Sequence, residues 1–280
     1  MKHENFKLSS LQFNPKKLEV KINGVTFGPN EIQLITGPCA IESREQLEET
    51  AILVKKSKVK IFRACAFKAR TYPYSFQGLG EKGLDLLAEV GAKYNLITET
   101  EVMDPRMVKI ASEKVDILRV GARNMQNFDL LKEMGKVTNP VILKNGMSAT
   151  IEEYLGAAEY ILSSGNPNVI LCERGIRSFE SEERFCFDAL SIPILKNLTN
   201  LPIIADPSHP AGKKELVLHL ARAQIASGAD GLIVETHAHP ENALTDKDQQ
   251  IPAKDLPYFI SELKKVANAM GRKINLNEEE

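Results

Sequence analysis

Eight short apolar runs recur along the chain, each followed by a turn cluster and then by a helical pattern. They occupy residues 32–36, 61–64, 96–100, 117–120, 141–144, 169–173, 203–206 and 231–235. The runs are largely continuous rather than alternating, as expected of strands buried on both faces. The segments between them carry apolar residues at helical spacing with clear punctuation. Asp104-Pro105 reads as an N-cap followed by the first helical residue, ahead of Met107, Ile110 and Ala111 on one face. Thr150-Ile151-Glu152-Glu153 has the capping-box pattern, with Leu155, Ala158 and Ile161 behind it. Gly165 is placed to stop that helix. Asn127 caps a short helix predicted to turn Phe128, Leu131 and Met134 inward and to end at Gly135. Residues 45–57 bury Leu47, Ala51 and Val54, and 254–269 form the last helix.

Eight strand–helix units predict an α/β fold, a (β/α)8 TIM barrel. The other arrangement of such units is a doubly wound open sheet, but no GxGxxG follows the first run. Residues 1–30 form an N-terminal extension. Within it, 18–22 and 25–26 flank Asn23-Gly24 and read as a β-hairpin with a type I′ turn, placed to plug the barrel's N-terminal end. The catalytic barrel is assigned to 31–270 and a polar C-terminal tail to 271–280. No linker or short repeat divides the chain further.

Charge narrows the function. Lys plus Arg number 36 and Asp plus Glu 37, so no basic excess argues for nucleic acid or an anionic membrane. No apolar run is long enough to span a bilayer, and the polar N-terminus lacks a signal-peptide core, which predicts a cytoplasmic protein. The residues at 278–280 read as a solvated acidic end, and His3 as disordered. Cys39, Cys65, Cys172 and Cys186 lack disulfide or CxxC spacing, so each is expected to be reduced. Cys172 and Cys186 read as core.

A barrel places its chemistry at the carboxyl ends of its strands. Here those ends are crowded with charge: Arg63, Lys68 and Arg70 after the second run, Glu99 and Glu101 after the third, then Arg123, Lys144, Glu173-Arg174, Asp206 with His209, and Glu235 with Asp246. Any one of these reads equally well as a solvated loop residue; eight strand ends together do not. Cations after four strands point to a mouth for more than one anionic group, such as two phosphates or a phosphate and a carboxylate. Cys39, His209, Glu235 and Asp246 offer a donor set that suits a divalent transition metal. Their spacing carries no metal signature, because they belong to different units, and Cys39 taken alone reads as packed. His209 lies in a stiff Asp-Pro-Ser-His-Pro loop. His219 falls in a helical pattern and reads as structural, and His237 and His239 stay unassigned.

The stretches GPCAIES, AFKARTYPYSFQG, TEVMDPR, GARNMQNF, LKNGMSAT, VILCERGIRSFE, IIADPSHPAG and GLIVETHAHPENALTD together resemble the 3-deoxy-D-arabino-heptulosonate 7-phosphate (DAHP) synthase family. The likeness is to its compact barrel branch, close to the synthases of 3-deoxy-D-manno-octulosonate 8-phosphate, and it covers roughly 17–268. The resemblance implies a metal-dependent condensation of phosphoenolpyruvate with erythrose 4-phosphate at the start of the shikimate pathway. It implies one divalent ion (Mn, Fe, Co or Zn) on Cys39, His209, Glu235 and Asp246. It implies phosphoenolpyruvate on Arg63, Lys68, Arg123, Lys144, Arg174 and the Ala122 backbone N–H, and the aldose phosphate on Arg70 and Thr71. Glu101 matches an acidic residue near the reacting carbons; Lys68, Lys144, Glu101 and His209 are the candidate catalytic groups. A homodimer or homotetramer is implied as well.

The chain departs from the family pattern in places. The aldose loop is Lys68-Ala69-Arg70-Thr71-Tyr72, where relatives usually have Lys-Pro-Arg-Thr. Ala64-Cys65 replaces a glycine pair. These changes bear on the aldose. The alternatives are an octulosonate 8-phosphate synthase using arabinose 5-phosphate, a metal-dependent pyruvate aldolase, and a catalytically dead paralogue kept for assembly. The length leaves no room for an added feedback domain, so no inhibition by aromatic amino acids is expected unless a partner protein supplies it.

Overall fold

The computed structural model describes residues 6–277; His3 and the acidic end at 278–280 lie outside the described residues. The chain begins with a hairpin of β1 (Val20–Ile22) and β2 (Val25–Phe27), paired antiparallel. Asn23 and Gly24 between them have φ of 43° and 78°, as a type I′ turn demands.

Eight parallel strands follow: β3 (Glu31–Gly37), β4 (Ile61–Arg63), β5 (Ile97–Glu101), β6 (Ile117–Val120), β7 (Val141–Lys144), β8 (Val169–Glu173), β9 (Ile203–Ala205) and β10 (Gly231–His237). Each pairs with its neighbour in sequence, and β10 pairs with β3, so the sheet closes into a (β/α)8 barrel. The closing seam runs from Gly231 opposite Gln33 to Glu235 opposite Gly37. Two short strands extend the sheet: β11 (Ile251–Pro252) beside β10 and β12 (Lys273–Ile274) beside the start of β3. The polar stretch after residue 270 therefore includes two residues paired into the sheet.

The outer layer consists of α1 (Arg44–Lys56), α2 (Glu81–Tyr94), α3 (Val108–Lys114), α4 (Phe128–Met134), α5 (Ile151–Ser163), α6 (Ser191–Leu198), the one-turn α7 (Ser208–Ala211), α8 (Lys214–Ala226) and α9 (Leu256–Ala269). Its starts follow local chemistry. The Thr150 hydroxyl accepts from Glu153 N while the Glu153 carboxylate accepts from Thr150 N, a reciprocal cap that satisfies two otherwise orphaned donors. Asp104 caps a 3-10 turn, Pro105–Met107, that leads into α3. Phe128 departs from expectation. It is 42% exposed and stacks on Tyr160 of α5 at 4.6 Å, while Leu130 takes the buried place beside Leu131 and Met134. The first residue of a short helix lies level with the loop before it, outside the packed stripe.

Two apolar layers result. One fills the space between strands and helices. The other fills the lumen, where each barrel strand contributes one isoleucine: Ile35, Ile61, Ile97, Ile117, Ile142, Ile170, Ile204 and Ile233. Branched side chains at alternate positions pack the barrel axis as layers rather than a pore. Val20, Val25 and Phe27 of the hairpin belong to this same cluster and close it from below. Truncating the wholly buried Phe27 to Ala should cost about 3–5 kcal/mol and lower the urea midpoint. Phe128→Ala, at a half-exposed position, should shift it far less; equal shifts would mean that the hairpin is no plug.

Candidate active site and metal centre

The seam assembles one end of the site. β3 ends at Gly37, whose φ is 152°. A Cβ there would stand 2.1 Å from the Arg63 carbonyl oxygen, so only glycine lets the two backbones meet. Pro38 then turns the chain, and Cys39 arrives wholly buried beside Glu235, which pairs with Gly37 across the seam. Asp246 reaches in from the loop after β10 with φ of 46°, a left-handed conformation uncommon for a residue with a side chain. The ligand atoms of Cys39, Glu235 and Asp246 all lie within 4.8 Å of one another.

Each of these groups is held. Cys39 Sγ donates to Asp246 Oδ2 at 3.0 Å and accepts from Lys68 Nζ at 2.9 Å. Its backbone N–H donates to Gln250 Oε1. Gln249 donates to Glu235 Oε2 at 2.6 Å, while Glu235 Oε1 is buried without a hydrogen-bond partner. Arg63, 1% exposed, lies 3.2 Å from Glu235 Oε1 and donates to the Cys39 carbonyl. Burial, then the Glu235 charge, push the Cys39 thiol up, so it keeps its proton. Burial alone would also raise Glu235 and Asp246. Arg63 and Lys68 beside Glu235, and Lys68 and Arg184 beside Asp246, outweigh it and hold both as carboxylates.

His209 stands beside this group. It lies on α7, a turn of helix rather than a loop. Its Nε2 is 3.7 Å from Glu235 Oε1, and its Nδ1 is 2.7 Å from Asp206 Oδ2. Burial lowers its pKa, leaving a neutral imidazole with Nε2 towards the carboxylates. A carboxylate behind a ring nitrogen is the usual way to orient a ligating histidine. Two carboxylates, a thiol and a neutral imidazole around a carboxylate oxygen that accepts no hydrogen bond fit a divalent cation well, since close like charges are costly without one.

Above the cluster lies a cavity of about 240 Å³ at the carboxyl ends of the strands. Lys68, Arg70, Thr71, Glu101, Ala122, Arg123, Lys144, Arg174 and His209 line it, which gathers residues from six separate stretches of sequence. Arg63 is the exception: it lies beneath the wall. Glu101 stays a carboxylate because Arg119, Lys68 and Lys144 overcome the effect of burial. Gly121 makes room for it, since a Cβ there would stand 2.1 Å from Glu101 Oε1. Lys144 is paired with Asp206, and Arg174 lies 3.8 Å over the Phe185 ring. Burial pulls Arg174 down to about 10, so it remains a cation at neutral pH.

A family model described as "DAHP synthetase I family" matches residues 13–272. The chain belongs to this family. It is 46% identical over 270 residues to the phospho-2-dehydro-3-deoxyheptonate aldolase of Thermotoga maritima, covering 96% of this chain and 80% of that protein. The crystal structure of the DAHP synthase of Thermotoga maritima superposes with a TM-score of 0.93 at 45% identity, over 96% of this chain and 78% of that one. A 2-dehydro-3-deoxyphosphooctonate aldolase of Geobacter sulfurreducens is 31% identical over 267 residues, 89% of this chain and 97% of that protein.

Three features of this DAHP synthetase I family member fell outside the strand-end pattern. Arg119 sits in the middle of β6, yet its guanidinium meets Glu99 at 2.7 Å, Glu101 at 2.9 Å and Cys65 Sγ at 3.0 Å, and it lines the cavity. An arginine inside an apolar run was the only signal. Arg184 lines the wall and holds Asp246 at 3.2 Å. Cys65, in place of a glycine, is wholly buried between Arg119 and Arg63. Cys172 is core as expected, whereas Cys186 is only half-buried. Cys39→Ser should weaken divalent-ion binding at least about tenfold, read by equilibrium dialysis of the stripped protein with Mn²⁺. Unchanged affinity would remove Cys39 from the centre.

Proposed function

We propose that the chain is a DAHP synthase: it condenses phosphoenolpyruvate with erythrose 4-phosphate, giving DAHP and inorganic phosphate at the entry to the shikimate pathway. The observation that carries this reading is one cavity in which Lys68, Arg70, Arg123, Lys144 and Arg174 converge directly above the Cys39–Glu235–Asp246 cluster. Family membership supports it. The pyruvate aldolase reading gives no reason for so many cations, since it needs to hold a single phosphate.

The residues divide by position. Lys68, Arg123, Lys144 and Arg174, with the Ala122 N–H, hold phosphoenolpyruvate. Arg70 and Thr71, on the loop after β4, take the aldose phosphate. Neutralising both phosphates lets C3 of the enol approach the aldehyde carbon, and holding both reactants converts an encounter into a near-attack arrangement. Cys39, His209, Glu235 and Asp246 would hold a divalent ion (Mn, Fe, Co or Zn), which when bound would supply Lewis-acid polarisation of the aldehyde. Glu101, a carboxylate in the cavity wall, is suited to favour the positive charge that develops at C2 as C3 attacks the aldehyde, before water adds at C2. Lys68 is a proton donor beside the ion site: the Glu235 and Asp246 carboxylates help to outweigh its burial and keep it an ammonium. Lys144 is fixed by Asp206, which also orients His209, so one buried carboxylate aligns the enol-binding cation with the imidazole. Arg63 acts through Glu235 from beneath. No helix among the described residues is long and apolar enough to cross a membrane, and all four cysteines are free, which supports a cytoplasmic setting.

Phosphate release from phosphoenolpyruvate tests the reading. Metal-stripped protein should release none; with Mn²⁺ it should release phosphate with erythrose 4-phosphate and not with arabinose 5-phosphate. Release with the five-carbon sugar alone would make the chain an octulosonate 8-phosphate synthase, and release with neither would end the reading. Arg70→Ala should raise the KM for the aldose phosphate about tenfold to a hundredfold, the loss of one charged hydrogen bond of about 1.5–3 kcal/mol. Metal content should not change. A rise confined to the KM for phosphoenolpyruvate would reverse the assignment of the cations.

A further inference from the structure

β8 alternates as a barrel strand must: Ile170 and Cys172 join the lumen cluster, while Val169 and Leu171 pack towards the helices. The same alternation sends Arg174 to the mouth and turns Glu173 outward, between the strands and the starts of α5 and α6. There it meets a second cavity, of about 200 Å³, walled by Tyr154, Ile176 and Leu195 with Asn145, Glu173 and Asp188. Glu173 is 2% exposed. Its Oε1 accepts from Gly175 N at 2.6 Å, but Oε2 is buried with no hydrogen-bond partner. Burial, with the Asp206 and Asp188 charges, pushes its carboxyl up to about 8 against the Gly175 N–H. Other polar atoms of the wall are committed. Asn145 Oδ1 accepts from Arg174 N, the Tyr154 hydroxyl donates to the Leu143 carbonyl, and Asp188 Oδ1 accepts from Leu190 N.

We propose that this cavity is a binding site for a small organic cation, a primary ammonium on a short apolar body, with the ammonium on Glu173. In the empty site at neutral pH Glu173 is the protonated acid; an ammonium at Oε2 displaces that proton and supplies both donor and countercharge. Ile176 and Leu195 take the apolar part. Two carboxylates exclude an anion. A bare metal ion fits poorly: among the described residues the only cluster of three metal-ligating side chains is the one at Cys39. The site couples to the mouth, because Glu173 Oε1 and Asn145 Oδ1 grip the backbone N–H groups of Gly175 and Arg174. A ligand on Glu173 thus acts on the turn that aims Arg174. This coupling rests on the role proposed for Arg174; binding itself does not.

Calorimetric titration of the metal-loaded protein with n-butylammonium chloride, n-butanol and sodium butyrate tests the proposal. The ammonium should bind saturably, and the alcohol and the carboxylate should not. Glu173→Gln should weaken ammonium binding at least tenfold. If that variant fails to fold, Asp188→Asn, at a half-buried position, should weaken binding at least threefold. No saturable binding, equal binding of n-butanol, or unchanged affinity in the folded variant would overturn the proposal. Because the readout is heat of binding, failure here is distinct from failure to release phosphate.

Discussion

The pairing of β10 with β3 is the contact on which the site depends. It closes the barrel and brings the last barrel strand against the first. Cys39 and Glu235 are almost 200 residues apart in sequence, yet the register that sets Gly37 opposite Glu235 makes them neighbours. Gly37 is the hinge of that arrangement, since any side chain there would drive β3 from β4. The same closure fixes the lumen, where eight isoleucines, one from each strand, pack together. Below that level the barrel is apolar; above it, nearly every inward side chain carries charge.

That charge is tolerable because it is paired in chains rather than in isolated couples. Arg119 joins Glu99 and Glu101; Arg63 joins Glu235; Asp206 joins Lys144 and His209. Buried ion pairs seldom add net stability, since desolvation offsets their attraction. Their value is geometric. Each buried cation has one orientation in which its partners are satisfied, so the cavity wall is built before any ligand arrives. Glu235 Oε1 has the Arg63 charge 3.2 Å away but accepts no hydrogen bond, which leaves it free to meet a second cation.

Much of this was legible in the chain. The eight runs, the Asn23-Gly24 turn and the Thr150 cap carry strong local signals, because their energetics are local. The starts of α2 and α8 were not announced in that way: Gly80 and Lys213 precede them without a side-chain cap, and packing alone fixes where they begin. Strand ends gave away most of the site, since barrel geometry turns them all to one face. Arg119 escaped because it lies one turn of the pleat deeper, where an apolar neighbour is the rule. Arg63 showed the converse: a strand-end cation whose partner, Glu235, lies two strands away around the barrel and draws it beneath the wall. Which carboxylate a cation chooses is a tertiary matter that periodicity does not encode.

The hairpin has a consequence for traffic. Val20, Val25 and Phe27 seal the lumen at one end, and the isoleucine ring fills it above them. The barrel is therefore a blind well rather than a tunnel. A group seated beside Cys39 would therefore enter and leave by the mouth alone, past anything seated above it. The direction of that traffic is set by the floor of the barrel, far from the charged groups around its mouth.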